Sequence, residues 1–112
     1  MKLNHLGVTV SDVMEARAFL EKYFGMRGIG KNSPGMTHLQ DDGGLILNLF
    51  RGTEVTSPQT TRIGFMQATE AQVNKLYGRL KADGFEVQPP RHSHGSTFYV
   101  TAPGGLMVEV VC

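Results

Sequence analysis

The chain writes one pattern twice. The stretch NHLGVTVSDVMEARAFLEKYFGM from Asn4 is similar to TRIGFMQATEAQVNKLYGRLKADGF from Thr61, so the period is about half the chain. Such a duplication confines the fold to one supersecondary unit built twice. Each copy opens on an alternating strand, Leu3 to Val10 or Thr61 to Gln67, and then meets a helix start. Asp12 with Glu15, and Thr69 with Gln72, each set a short capping oxygen three residues before a side chain that can reach back to the cap. The helices that follow carry Val13, Ala16, Phe19, Leu20 and Tyr23 up to Gly25, and Val73, Leu76, Tyr77 and Leu80 up to the region of Gly84.

A short strand is predicted after each helix, near Gly28 to Lys31 and near Phe85 to Gln88. A hairpin follows in each copy. Asp42-Gly43-Gly44 joins Met36–Asp41 to Leu45–Phe50, and Pro103-Gly104-Gly105 joins Thr97–Ala102 to Leu106–Val111. The predicted unit is therefore βαβββ, twice, in an α+β domain over residues 1–112. Module one takes 1–51, a linker takes 52–60 and module two takes 61–112. Neither half offers enough apolar area to stand alone, so the halves must pack on each other or on a second chain.

Composition bounds the function classes. Eleven Lys and Arg against ten Asp and Glu give a net charge of +1. The basic residues are scattered from Lys2 to Arg91, which argues against a nucleic-acid partner, because phosphate binding needs a clustered positive face. The longest apolar run, Leu45 to Phe50, is interrupted by Asn48 and falls far short of the roughly 20 residues of a membrane helix. The N-terminus lacks the layout of a signal peptide, and the one cysteine, Cys112, excludes an intrachain disulfide; both suggest a cytoplasmic protein.

Period-two alternation sorts the strand residues by face. Leu6, Val8 and Val10 belong to the helix side of the first strand, which leaves His5, Gly7 and Thr9 opposite. In the second copy Ile63 and Phe65 leave Arg62, Gly64 and Met66. The last strands leave Asn48 and Glu109 on the same far faces, and His38 and Tyr99 join them. His5 pairs by position with Arg62, His38 with Tyr99, and Asn48 with Glu109. A carboxylate between Met107 and Val111 is costly to bury unless it is paired or bound to a metal, so Glu109 requires a partner, with Arg62 or His5 as the structural candidates. Gly7 and Gly64 weaken a strand interior unless space is needed beside it, which points toward a cavity. His92-Ser93-His94, after Pro89-Pro90-Arg91, reads as a loop.

NHLGVTVSD with its helix, RIGF as the second start, and the ending APGGLMVEVVC resemble the vicinal oxygen chelate superfamily. This superfamily contains glyoxalase I, bleomycin resistance proteins, fosfomycin resistance thiol transferases and extradiol dioxygenases. The resemblance covers nearly the whole chain and implies a curved eight-strand cup around a cavity, shared in many short members between the two chains of a homodimer. It also implies a small-molecule ligand and, in metal-using members, a divalent ion such as Mn, Zn, Ni or Fe.

The metal positions carried over are His5, Asn48, Arg62 and Glu109, of which His5 and Glu109 keep ligand-type side chains. Arg62 stands where a metal-binding histidine would be needed and cannot offer a lone pair. The leading expectation is a protein that binds a small oxygen-rich or anionic molecule without a metal. Arg62, Asn48, His38 and Tyr99 would bind that molecule, with His5 and Glu109 as the proton-transfer pair if the chain is catalytic. The alternatives are a metal-dependent lyase or thiol transferase, with the ion on His5 and Glu109 helped by His38 or Asn48, and an antibiotic-sequestering resistance protein.

Overall fold

The computed structural model describes residues 1–52, 62–92 and 95–112. It divides into two compact units, Met1–Thr56 with Pro103–Gly105 and Ser57–Ala102 with Leu106–Cys112. In unit 1 the order is β1 (His5–Val10), α1 (Val13–Phe24), β2 (Arg27–Ser33), β3 (Met36–Gln40) and β4 (Ile46–Arg51). Unit 2 repeats it with β5 (Ile63–Met66), α2 (Glu70–Ala82), β6 (Arg91–His92), β7 (Ser96–Thr101) and β8 (Met107–Val111). The eight strands form two four-stranded sheets of the same topology, β1-β4-β3-β2 and β5-β8-β7-β6. In each, the first strand runs parallel to the last and the other pairings are antiparallel.

The helix signals act as the sequence predicts. The Asp12 carboxylate accepts the Glu15 N–H at 3.1 Å, and Thr69 with Gln72 closes a full capping box, each side chain bonded to the other's backbone. Helix α1 stops at Gly25, whose φ of +67° only glycine adopts cheaply, and the Met26 N–H closes the end on Leu20 C=O at 3.3 Å. Val13, Ala16, Phe19, Leu20 and Tyr23 are buried, as are Val73, Leu76 and Leu80, while Tyr77 sits edge-on to Phe98 at 5.9 Å. With Leu39, Leu47 and Leu49 in unit 1, and Val100, Val108 and Val110 in unit 2, they make two cores between a helix and one sheet face. Each such side chain contributes about 1.5–3 kcal/mol by leaving water. Among the described residues no helix is long and apolar enough to cross a membrane.

Three expectations need correction. The strand predicted at Phe85–Gln88 lies instead at Arg91–His92. The Phe85 N–H is spent on Leu80 C=O at the end of α2, and Pro89 and Pro90 have no N–H to give, so a ladder can begin only at Arg91. His92 is consequently a strand residue, with Nε2 3.5 Å from Glu70 Oε1, and not part of a loop; Ser93 and His94 lie outside the described residues. Leu6 belongs to the helix side of β1 by alternation yet is 38% exposed, because α1 packs across β2, β3 and β4 and leaves the start of edge strand β1 uncovered. The linker predicted at 52–60 lies, apart from Gly52, outside the described residues.

Candidate functional site

The helix-free faces carry the polar residues in the predicted register. In unit 1, Asn48 stands opposite both Gly7 on β1 and His38 on β3; in unit 2, Glu109 stands opposite both Gly64 on β5 and Tyr99 on β7. The two far faces thus present His5, His38 and Asn48 in one unit and Arg62, Tyr99 and Glu109 in the other, position for position.

In unit 2 the three side chains join through the carboxylate. Glu109 is only 8% exposed, and Arg62 Nε donates to its Oε2 at 2.8 Å while the Tyr99 hydroxyl donates to Oε1 at 3.2 Å. The Arg62 guanidinium also lies 5.7 Å from the centre of the Tyr99 ring, within range of a cation–π contact. The hydrogen bond to Glu109, and next the carboxylate's charge, raise the Arg62 pKa above the ordinary arginine value against a smaller desolvation effect. Of the two partners foreseen for Glu109, the structure selects Arg62.

In unit 1 the side chains converge on a hollow of about 330 Å³ lined by Asn4, His5, Ile29, Gly30, His38, Ile46 and Asn48. His38 Nδ1 is hydrogen-bonded to Asn48 Oδ1, and His5 Nδ1 lies 3.3 Å from Asn4 Oδ1. Each contact ties up one ring nitrogen, the direction of the bond following the tautomer. Two imidazoles thus line one hollow.

The space beside the two glycines is used by the protein itself. A Cβ at Gly7 would come within 3.2 Å of the Phe50 ring, and one at Gly64 would meet Glu109 Oε2 at 3.8 Å. The inference from these glycines to a cavity does not carry. Gly7 accommodates a ring, and Gly64 leaves the paired carboxylate uncrowded.

The donor set of unit 2 does not suit the divalent ion of metal-using relatives. Both oxygens of Glu109 already accept hydrogen bonds, and a fixed guanidinium beside them repels a cation. Among the described residues no three His, Cys, Asp or Glu side chains come together as a metal-holding group.

A second recess, of about 420 Å³, opens on unit 2 between Gln88, Pro89, Arg91, Thr97, Phe98 and Tyr99. Arg91 and Thr97 are not among the residues singled out by sequence reasoning, because Arg91 pairs with Thr97 only once β6 is placed after the two prolines. The one available signal was position: Thr97 lies two residues before Tyr99 and so shares its face.

The model of the Glyoxalase/Bleomycin resistance protein/Dioxygenase superfamily matches residues 2–110, and the chain belongs to this superfamily. A solved structure of a possible glyoxalase from Bacillus cereus is 49% identical, with a TM-score of 0.96 over 100% of this chain and 99% of that one. A fosfomycin resistance protein from Listeria monocytogenes superposes with a TM-score of 0.83 at 24% identity, over 99% of this chain and 92% of that one, a likeness of fold. A Bacillus subtilis protein named a probable trivalent organoarsenical cleaving enzyme is 27% identical over 110 residues, 94% of this chain and 75% of that protein.

Proposed function

We propose that this protein binds a small oxygen-rich or anionic molecule on the helix-free faces of its sheets, with an arginine in place of the superfamily's usual metal. The carrying observation is the Arg62–Glu109–Tyr99 group, in which a buried carboxylate and a phenol fix a guanidinium where a metal ligand would otherwise stand. Fixing the guanidinium lowers the entropy lost when it meets a planar oxygen pair. Each unit would offer its own polar set for hydrogen bonding, Arg62, Tyr99 and Glu109 in one and His5, His38 and Asn48 in the other, with His5 and Glu109 as the groups for proton transfer. The homodimer and the cavity shared within it belong to the same reading, as does a cytoplasmic location, which suits a chain whose one cysteine is Cys112.

A catalytic version is favoured by one observation: His5 and His38 line one hollow, each with Nδ1 against an amide side chain. Imidazoles held in place on a hollow are the side chains best suited to moving a proton. The Bacillus relatives named for glyoxalase and arsenical chemistry make a lyase the first reaction class to test.

The test is calorimetric titration of the purified protein with glycolate and with methylphosphonate, before and after chelation by EDTA, on the wild type and on Arg62→Gln. Saturable binding that survives EDTA and weakens at least tenfold in Arg62→Gln is expected. Binding that EDTA abolishes and a divalent ion restores would overturn the metal-free reading in favour of the metal-dependent lyase or transferase.

A further inference from the structure

Resting on the binding reading above, we infer that the recess beside Tyr99 is a second subsite on the same sheet face, and that it takes a compact aromatic or branched carboxylate held by Arg91 and Thr97. Arg91 and Thr97 stand directly opposite on β6 and β7, so their side chains leave the sheet on one face, with Cβ atoms about 4.5–5.5 Å apart. Tyr99 follows on that same face and lines the same recess. A polar track therefore runs from Arg91 through Thr97 and Tyr99 to Glu109 and Arg62, and the recess lies at its Arg91 end.

Two features point to a ligand there. Thr97 is 4% exposed, and its Oγ1 has no hydrogen-bond partner among the described residues. Buried hydroxyls are normally satisfied, and an orphan in the wall of a recess is an anchor awaiting an acceptor. Threonine's χ1 wells exchange hydroxyl and methyl, so one rotation turns Oγ1 toward the space that the side chain lines. The second feature is charge. Arg91 is exposed and takes part in no ion pair among the described residues, unlike Arg17, Arg27 and Arg62, which each hold a carboxylate.

The chemistry of the walls defines the rest of the ligand. Pro89 and the Tyr99 ring make the recess mainly apolar, and its 420 Å³ falls within the roughly 300–1,000 Å³ of small-molecule sites. An apolar pocket with one cation and one hydroxyl at neighbouring positions fits a carboxylate whose oxygens take both donors while a ring or branched chain fills the space. A bare oxyanion would leave those apolar walls unused.

The experiment titrates benzoate, benzamide and acetate into the intact protein, following amide NMR shifts of Gln88, Arg91 and residues 95–99, on the wild type, Arg91→Gln and Thr97→Val. Glycolate on Arg62→Gln serves as the control for the parent reading. Benzoate should bind at least tenfold more tightly than either acetate or benzamide, and lose about tenfold in Arg91→Gln. Thr97→Val should weaken it several-fold while leaving the fold intact, since the swap removes only an orphaned hydroxyl. Equal binding of acetate and benzoate, or a benzoate affinity indifferent to Arg91, would overturn the inference; glycolate binding that still depends on Arg62 would then show that the parent reading survives it. If none of the anions binds, both fall together.

Discussion

Arg62 Nε meets Glu109 Oε2 at 2.8 Å, and the carboxylate it meets is buried on the face of a strand between Met107 and Val111. The arginine sits just ahead of β5, so a link between neighbouring strands supplies what a buried charge requires. Arg62→Met should therefore lower the denaturation midpoint, since it strands the carboxylate. Adding Glu109→Gln to that variant should recover part of the loss, because the uncompensated charge is then gone. The four midpoints of the double-mutant cycle check this, and strictly additive effects would show the two residues to be uncoupled.

The same pairing sets a pH expectation. A base whose pKa is raised on folding contributes stability that is complete below its unfolded pKa and is lost as pH rises through the folded one. For Arg62 both values lie above the working range, so the stability difference between wild type and Arg62→Gln should stay flat from about pH 7 to 10. In Arg62→Lys the link should instead fail as pH passes the lysine range near 10.4. Chemical denaturation at stepped pH reads both.

Tyr99 offers a finer test, because Tyr99→Phe keeps the ring under Arg62 and removes only the hydroxyl that donates to Glu109 Oε1. The expected cost is about 1 kcal/mol, reduced by the exposure of the side chain. A ligand that uses the recess should keep its ring contact in this variant. Urea denaturation measures the first effect and benzoate titration the second.

Away from the site, Thr69→Ala should cost about 1 kcal/mol by opening the capping box of α2. Ligand affinity should not change. A loss of affinity in thermal-shift titration would mean that α2 helps to position the site.

Much of the fold was legible because its signals are local. The caps at Asp12 and Thr69, the stop at Gly25 and the hairpin turns each act within a few residues, and all of them are kept in the fold, as is the duplication. The same alternation that sets Leu39 and Val100 toward the cores sets His38 and Tyr99 opposite, so the equivalent triplets are readable from the chain itself. Strand β6 lies later than expected because the competing signals lie further apart: the alternating Phe85–Gln88 suggests a strand, yet the helix end takes the Phe85 N–H and the two prolines defer pairing to Arg91.

Strand period and helix capping are properties of the local chain, so residue order alone sets the unit, its repetition and the face on which each polar residue stands. That Glu109 takes Arg62, that His38 binds Asn48, that Leu6 stays uncovered and that Arg91 faces Thr97 came from packing. Each of these depends on which side chains distant in sequence come within about 3 Å, or on where a helix happens to lie across a sheet, and alternation fixes a direction without fixing a partner.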